Sequence, residues 1–204
     1  LALPGNVSDG DHNAALVQAA MSHFGGLSVS VLNAGMVGTL PWEDPGAVEK
    51  FERIMAVNVT GVVHGIRHAA EVMKKAGTGV ILATASTSGL RGDPGNYAYN
   101  ASKAAVFNLV RAAAVDLGVY GIRVNGVAPG PVITGITDRL KGVPGAMDEM
   151  SKRIPLRRWG QPSELAEAFY FLASPAASFI TGTTLMCDGG HSAHAAHFDL
   201  RDKA

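Results

Sequence analysis

Residues 84–103, TASTSGLRGDPGNYAYNASK, join a continuous apolar run, Gly79–Ala85, to a long segment with helical periodicity. Most positions on one stripe of that helix are apolar: Val106, Val110, Ala113 and Leu117. An apolar run that ends at a turn and leads into an amphipathic helix predicts a buried strand followed by a helix that packs on the sheet. The same stripe begins with Tyr99 and Lys103, which packing alone does not explain.

Tyr99 and Lys103 are four positions apart, so their side chains lie on one face of the helix, one turn from each other. A positive charge close to a phenol favours the phenolate, and we therefore expect Lys103 to lower the pKa of Tyr99. A phenol whose pKa approaches the working pH suits general acid/base catalysis between an alcohol and a ketone. The neighbouring Tyr97 has Ala101 four residues later, so Tyr99 is the candidate.

Ser86 follows the apolar run directly, at the end of the strand where open parallel sheets bind their ligands. A serine at a strand end, with Tyr-x-x-x-Lys thirteen residues later, resembles the short-chain dehydrogenase/reductase family. The resemblance implies an α/β fold, a Rossmann-like doubly wound parallel sheet, in a single domain over residues 1–204. It also implies catalytic roles for Ser86, Tyr99 and Lys103, and a contact of Lys103 with the nicotinamide ribose.

A second long helix is predicted for Ala47–Ala76, and Asn58 interrupts its apolar pattern. The apolar positions keep helical spacing: Val48, Phe51, Met55, Val59, Val62, Ile66, Ala69 and Met73. One interpretation of Asn58 is a side chain that hydrogen-bonds the carbonyl group four residues earlier. The resemblance implies another, in which Asn58 kinks the helix and holds a water that relays protons to Lys103. We favour the second, which makes Asn58 a fourth catalytic residue.

Short motifs resemble the segments with which the family binds NAD or NADP. Asn33-Ala34-Gly35 follows a short apolar strand, Ser28–Leu32, and its small residues allow a ribose or adenine to approach the backbone. The run PGPVIT, residues 129–134, matches Pro-Gly-x-x-x-Thr, whose backbone and threonine are implied to bind the nicotinamide carboxamide or the pyrophosphate. The implied cofactor-binding residues are Asn6, Val7, Asn33, Ala34, Gly35, Tyr99, Lys103, Pro129, Gly130, Val132 and Thr134.

Asn6-Val7 stands where family members commonly carry Asp-Val, whose first side chain contacts the adenine. Asn6 could hydrogen-bond the adenine in place of the aspartate. It could equally be a turn-forming residue after Gly5, because asparagine favours turns. Both interpretations stay open at this point.

The family begins with Thr-Gly-x-x-x-Gly-x-Gly, a turn that seats the pyrophosphate at a helix N-terminus, and residues 1–204 do not contain it. The resemblance therefore covers the C-terminal two-thirds or so of the family fold, and we expect about 60 residues of βαβ structure before Leu1. The choice between NAD and NADP stays open. Residues 1–204 alone are expected to be a poor enzyme, with the Ser28–Leu32 strand turned into a sheet edge.

The other predicted elements complete an alternation of strands and helices. They are a helix at Asp11–Phe24 capped by Asp9 or Asp11, a strand at Ile122–Ala128, a helix at Pro162–Ala173 and a strand at Thr183–Cys187. Such an alternation predicts a parallel sheet. Residues 135–160 contain glycines and prolines and are expected to form a loop, which the resemblance makes a mobile lid over the substrate.

Composition excludes several classes of partner. Seventeen basic residues balance seventeen acidic ones, so nothing favours nucleic acid or an anionic membrane, and no apolar run reaches membrane-spanning length. Cys187 is the one cysteine, which suits a reducing compartment, and we expect a cytoplasmic protein. His191, His194 and His197 could hold a metal, but no carboxylate or thiol pattern accompanies them, and no metal is expected.

The leading hypothesis is an NAD(P)-dependent oxidoreductase that interconverts a secondary alcohol and a ketone by hydride transfer. The alternative is a non-catalytic relative that binds a ligand or partner and has lost cofactor binding. Met36, Trp42 and Trp159 indicate a partly hydrophobic small-molecule substrate. The family commonly forms homotetramers, and small or apolar residues on further faces of the two long helices agree with this: Val63, Ala70, Ala104, Ala105 and Phe107.

Overall fold

The computed structural model describes residues 1–38 and 40–193, without the side chains of Arg139 and Lys141. Its sheet has four parallel strands in the order β1-β2-β3-β4: Val29–Leu32, Gly79–Thr84, Ile122–Pro129 and Thr184–Cys187. The helices are α1 Gly10–Phe24, α2 Ala47–Met55, α3 Gly61–Ala76, α4 Tyr97–Gly118, α5 Asp138–Lys141, α6 Ala146–Lys152 and α7 Pro162–Ala173. The predicted α/β fold with a parallel sheet is confirmed.

Alternating side chains of the central strands divide the core between the two faces of the sheet. Ile81 and Val124 pack with residues of α3 and α4 on one face. Leu82 and Val127 point to the other face and pack against α7. Both central strands are buried along almost their whole length, which is why they are continuous apolar runs in the sequence.

Strand β1 lies at the edge of this sheet and is covered on one face only. Leu32 packs against the core that α3 contributes to, whereas Val29 and Val31 are 38% and 49% exposed. The sequence predicted that this strand lies at the edge of the sheet in residues 1–204, and the strand order confirms that position. Its second face is open. The reason is that α7 packs on β2, β3 and β4 rather than on β1.

The predicted long helix is one helical run, α2 and α3, joined by a π-helical turn at Ala56–Thr60 that contains Asn58. Its apolar stripe is correct after this turn, where Val62, Ala69 and Met73 are buried. Before the turn it is wrong by one residue: Ile54 is fully buried and Val48 is 68% exposed. A π-turn inserts one extra residue, so the inward-facing positions shift by one along the sequence.

The remaining elements agree closely with their sequence signals. Asp9 caps α1, because its side chain accepts a hydrogen bond from the Asp11 backbone N–H at 3.0 Å. Helices α4 and α7 and strands β3 and β4 lie within a residue or two of the predicted bounds. Residues 135–160, expected to be a loop, instead contain a 3₁₀ turn, Gly135–Thr137, and the short helices α5 and α6.

A second 3₁₀ turn, Thr87–Leu90, packs directly on α4 and sets the position of Ser86. Gly89 makes this approach possible, because a Cβ atom there would lie 2.7 Å from the Lys103 carbonyl carbon and 2.8 Å from the Ala104 nitrogen. Both neighbours are backbone atoms of a buried helix and have little freedom to move. At Gly92, three residues further on, an added Cβ atom would meet no other atom within 4 Å.

We therefore expect Gly89→Ala to lower the free energy of unfolding by about 1–3 kcal/mol, the usual cost of overpacking. Gly92→Ala is the matched control and should change it by less than about 1 kcal/mol. Urea unfolding followed by circular dichroism measures both. Equal effects of the two substitutions would show that the turn and α4 do not pack as described.

Candidate active site

The carboxyl ends of β1, β2 and β3 meet at one edge of the sheet, as parallel register requires. A cavity of about 780 Å³ opens there. Predicted site residues account for much of its lining: Asn33, Gly35, Ser86, Tyr99, Lys103, Pro129, Gly130, Val132 and Thr134. The exposed side of β1 contributes Val31, and apolar side chains of Leu165 and Phe169 on α7 complete the wall.

Lys103 reaches this cavity from the middle of α4 and is almost completely buried, with 4% of its surface exposed. Its Nζ donates a hydrogen bond of 2.7 Å to the carbonyl oxygen of Thr84, at the end of β2. The Thr84 hydroxyl in turn donates to Asn33 Oδ1 at 2.8 Å, which ties the ends of β1 and β2 together. Burial lowers the pKa of Lys103 to about 8.

Tyr99 has a raised pKa, in contrast to the expectation from sequence. Burial is the main cause; the hydrogen bond with the Ser86 side chain lowers the pKa, and the negative charge of Asp93 raises it further. The expectation failed because the Lys103 ammonium is drawn to the Thr84 carbonyl oxygen and lies 5.7 Å from the centroid of the Tyr99 ring. Desolvation of the phenol then outweighs the distant positive charge.

Ser86 is buried two residues beyond the end of β2, where it begins the 3₁₀ turn Thr87–Leu90. Its Oγ accepts a hydrogen bond from the Ser88 backbone N–H at 3.2 Å. This bond fixes the hydroxyl oxygen, and the hydroxyl group also forms the hydrogen bond with the Tyr99 side chain. The structure thus brings Ser86, Tyr99 and Lys103 to one wall of the cavity.

Asn58 is fully buried and connects three parts of the chain. Its Oδ1 accepts from the Met36 backbone N–H at 2.8 Å, and its Nδ2 donates to the Met36 carbonyl oxygen and to Ser102 Oγ, both at 2.9 Å. The side chain therefore bonds the loop after β1 and the helix α4 rather than the carbonyl group four residues before it. This contradicts the first interpretation and leaves the proton relay as a prediction.

Ser102 is a site residue that sequence reasoning missed. It is fully buried, and its hydroxyl donates to the Tyr99 carbonyl oxygen at 2.8 Å while accepting from Asn58 Nδ2. A signal was available, because Tyr99, Ser102 and Lys103 have i, i+3, i+4 spacing and share one face of α4. A serine on the inner face of a helix needs a polar partner, and here Asn58 is that partner.

Three of the predicted cofactor-binding residues lie outside the large cavity. Val7 and Ala34 line a second, smaller cavity of about 150 Å³ between α1, β1 and α3, to which Asn33 also belongs. Asn6 uses its Oδ1 locally, accepting from the Ser8 backbone N–H at 3.1 Å and from the Ser8 hydroxyl at 2.9 Å. Its contacts are those of the turn-forming interpretation.

The large cavity fits the nicotinamide–ribose half of NAD or NADP in size and chemistry. At Gly35 a Cβ atom would lie 3.5 Å from both Asn58 Oδ1 and Lys103 Nζ, an ordinary van der Waals distance, so this residue borders the polar wall of the cavity. Lys103 would hold the ribose hydroxyl groups with its ammonium. The backbone after Gly130 and the hydroxyl of Thr134 would hold the carboxamide.

A further cavity, of about 570 Å³, adjoins the first and shares five lining residues with it: Ser86, Tyr99, Gly130, Ile136 and Thr137. Trp159 lines it and is buried, with its indole Nε1 donating to the Met147 carbonyl oxygen at 3.0 Å. Trp42 stacks on Tyr97 with ring centroids 3.8 Å apart and is not a lining residue. Met36 contributes its backbone to Asn58 and lines neither cavity.

Among residues 1–38 and 40–193, no group of three His, Cys, Asp or Glu side chains could hold a metal ion. His191 is buried beside Arg91, whereas His194 and His197 lie outside the described residues. Within the same part of the chain, no helix is both long and apolar enough to cross a membrane.

Known proteins are similar to this chain in sequence and in architecture. The family model described as Enoyl-(Acyl carrier protein) reductase matches residues 1–192. The cis-4-hydroxycyclohexanecarboxylate dehydrogenase of Sinomonas cyclohexanicum is 39% identical over 192 residues, which are 92% of this chain and 75% of that protein.

Solved structures are also similar to this chain in fold. A gluconate 5-dehydrogenase from Burkholderia cenocepacia, in complex with NADP and tartrate, superposes with a TM-score of 0.88 at 32% identity, covering 94% of this chain and 74% of that one. A 7α-hydroxysteroid dehydrogenase, complexed with NADH and 7-oxo glycochenodeoxycholic acid, gives 0.86 at 37% identity, covering 91% and 71%. The chain therefore belongs to the short-chain dehydrogenase/reductase family.

Proposed function

We propose that the protein is an NAD(P)-dependent oxidoreductase that interconverts a secondary alcohol and a ketone. One observation carries this proposal: Ser86 and Tyr99 lie on the boundary between the two cavities and line both. A cofactor in the first cavity and a substrate in the second would meet along this boundary, which Gly130, Ile136 and Thr137 also line. The hydroxyl groups of Ser86 and Tyr99 are the ones that a carbonyl reduction would use there.

Tyr99 is the proton donor and acceptor in this proposal. Its raised pKa keeps the phenol protonated at neutral pH, ready to donate to the oxygen of a ketone as that oxygen gains negative charge. Ser86 donates a hydrogen bond to the same oxygen, which orients the substrate and stabilises the developing charge. The nicotinamide cofactor, when bound, supplies or accepts the hydride. In the alcohol-to-ketone direction Tyr99 receives the proton.

Lys103 and Asn58 support Tyr99 from behind. Below its pKa of about 8, Lys103 carries a positive charge that stabilises a phenolate formed at Tyr99 during turnover. Asn58 holds α4 through Ser102 and, in our proposal, completes a relay that returns protons to Lys103. The residues that line the first cavity would contact the nicotinamide and its ribose, which NAD and NADP have in common. We therefore propose either NAD or NADP as the cofactor.

The relatives' names support a secondary alcohol as the substrate. A hydroxycyclohexanecarboxylate, gluconate at carbon 5 and a hydroxysteroid all carry the reacting hydroxyl group on a secondary carbon. Apolar residues in the second cavity, Val37, Ile136, Leu140, Met150 and Trp159, favour a ligand with a hydrophobic part. A small alcohol or ketone with some apolar surface is therefore the proposed substrate.

A non-catalytic relative that binds a ligand or partner and has lost cofactor binding is the second candidate. Fluorescence titration with NADH and NADPH separates the two candidates. Binding of either cofactor with turnover of a secondary alcohol supports the enzyme. Failure to bind both, in protein expressed from its complete open reading frame, supports the alternative.

Replacing Tyr99 by phenylalanine tests the assigned proton donor. Tyr99→Phe should lower kcat by about 10²–10⁴-fold, the usual contribution of general acid/base catalysis, and leave cofactor affinity nearly unchanged. Tyr97→Phe is the matched control, because Tyr97 stacks on Trp42 and does not line either cavity. Turnover by Tyr99→Phe within tenfold of the wild type would remove Tyr99 from the mechanism.

The lowered pKa of Lys103 predicts how stability changes with pH. The folded protein releases this proton near pH 8, whereas the unfolded chain keeps it until about 10.5, so stability should rise with pH between these values. From pH 7 to 9.5 the wild type should gain about 2 kcal/mol relative to Lys103→Met, at about 1.4 kcal/mol per pH unit above pH 8. Urea unfolding at both pH values measures the difference.

Lys75→Met, which removes an ammonium from the exposed end of α3, is the control for that experiment. Its stability relative to the wild type should change little over the same pH range. If Lys103→Met behaves in the same way as Lys75→Met, the Lys103 ammonium is not buried at neutral pH.

We further propose a cytoplasmic homotetramer with dihedral symmetry. A groove of about 440 Å³ between α3 and α4 supports self-association, since its lining combines apolar residues, including Val63, Ile66 and Leu109, with charged ones of both signs: Arg67, Glu71, Lys74 and Asp116. Val63 and Ala104 are exposed and Ala105 is half-buried, as an interface needs. Ala70 and Phe107, which the sequence also placed in this surface, are instead buried in the core. The free thiol of Cys187 suits a reducing compartment.

Sedimentation equilibrium at micromolar concentration should find an assembly larger than a monomer. Val63→Lys should weaken the assembly, because it places a charge in the apolar groove. Val115→Lys, at an exposed position of α4 outside the groove, should have the smaller effect. A wild-type protein that sediments only as a monomer would contradict the proposed tetramer.

A further inference from the structure

The second cavity carries charged side chains that the proposed proton transfer does not use. Arg91 follows the turn Thr87–Leu90, Arg153 follows α6, and His191 follows the Asp-Gly-Gly turn after β4. All three line the cavity of about 570 Å³ that also contains Ser86 and Tyr99. Three distant segments of the chain thus bring basic side chains to the space in which the substrate would lie.

Asp93 is the one carboxylate among the residues that line this cavity, and both of its oxygens are in use. Oδ1 accepts from Arg91 Nε at 3.0 Å, and Oδ2 accepts from the Ser88 hydroxyl. Asp93 therefore holds the Arg91 guanidinium through Nε, and the terminal nitrogens Nη1 and Nη2 do not bond this carboxylate. A guanidinium fixed in this way keeps the fork geometry that binds carboxylates.

His191 limits where those terminal nitrogens can lie. Nη1 of Arg91 lies 3.4 Å from His191 Nε2, and Nη2 lies 3.4 Å from His191 Nδ1, so both terminal nitrogens are within hydrogen-bonding distance of the imidazole. Burial is the main factor that lowers the pKa of His191, followed by the positive charge of Arg91; the negative charges of Asp188 and Asp93 act in the opposite direction. The imidazole is consequently neutral at neutral pH, and it supports Arg91 without adding charge.

Arg153 supplies a second guanidinium, which forms no salt bridge with a carboxylate of the described residues, although after Lys152 its positive charge also helps to lower the pKa of Glu149. Its neighbour Glu149 forms its ion pair with Lys152, at 2.6 Å, and within the described part of the chain the Arg153 side chain makes no hydrogen bond. Asp188, close to His191, accepts bonds from the Gly190 and Ser192 backbone N–H groups at 2.9 and 2.7 Å. Among the described residues that line the cavity, two guanidinium groups thus face one committed carboxylate, an excess of one positive charge.

We propose that Arg91 and Arg153 form an anion subsite for the substrate, supported by His191. The ligand class is a hydroxy- or ketocarboxylate, whose hydroxyl or carbonyl group lies at Tyr99 and whose carboxylate is bound by the two arginines. A singly charged carboxylate matches the net charge of the cavity better than a dianionic phosphate does. That the bound ligand is the substrate rests on the oxidoreductase function proposed above.

Direct binding tests the anion subsite without turnover. Isothermal titration with cyclohexanecarboxylate and with cyclohexanecarboxamide compares a charged and a neutral ligand of the same shape. The wild type should bind the carboxylate at least about tenfold more tightly, as expected for charge-assisted hydrogen bonds. Arg153→Gln and Arg91→Gln should each remove most of this preference. Arg111→Gln, which removes an exposed charge of α4 outside the cavity, should retain it.

Equal affinity for the two ligands in the wild type would overturn the subsite. So would a preference for the carboxylate that persists in Arg153→Gln. Arg153 is exposed, and its side chain makes no contact that the fold needs. The Arg153→Gln result is therefore decisive even if Arg91→Gln, which breaks the contact with Asp93, fails to fold.

Turnover separates this inference from the proposed function. With NAD⁺ and NADP⁺, kcat/KM is measured for 3-hydroxycyclohexanecarboxylate and for its methyl ester. A preference of about tenfold for the acid that Arg153→Gln abolishes supports both proposals. Oxidation of acid and ester at equal rates overturns the subsite and leaves the enzyme function standing. A preference in binding, without oxidation of any secondary alcohol, keeps the anion site and overturns the enzyme function.

Discussion

The 2.7 Å hydrogen bond from Lys103 Nζ to the Thr84 carbonyl oxygen joins the middle of α4 to the end of β2. An ammonium in this position has lost nearly all contact with water, and its pKa of about 8 reflects the cost of that loss. The Thr84 hydroxyl extends the connection to Asn33 after β1. One buried cation therefore links two strand ends and the helix that carries Tyr99, and the shape of the large cavity depends on it.

The π-turn at Ala56–Thr60 complements this link from the other side of α4. It directs Asn58 into the core, where the carboxamide pairs with the Met36 backbone and with Ser102, and Ser102 bonds the Tyr99 carbonyl oxygen. A helix of regular pitch would direct a neighbouring residue to this point, as the one-residue shift between Ile54 and the predicted position 55 demonstrates. The irregular turn thus positions α4, the helix that carries Tyr99 and Lys103.

The two cavities that meet at Ser86 and Tyr99 differ in chemistry. The first presents backbone groups, small side chains and one ammonium, which suit a ligand held by its ribose and amide groups. The second combines apolar side chains with two guanidinium groups and a single committed carboxylate. The division follows from the fold, because residues at the strand ends build the first cavity, whereas the turn at Thr87–Leu90, α6 and the segment after β4 build much of the second.

The sequence by itself determined the parallel sheet, its four strands and the long helices, because periodicity is a property of neighbouring residues. Through the spacing of Ser86, Tyr99 and Lys103 and its resemblance to a family pattern, it also singled out those residues as candidates, but it missed the short helices α5 and α6. Only the tertiary structure decided the phase of α2, the open face of β1 and the direction of the Tyr99 pKa shift. It also decided the partnership of Asn58 with Ser102 and the meeting of Arg91, Arg153 and His191. Each of these depends on contacts between segments far apart in the chain, and on burial, which no local pattern encodes.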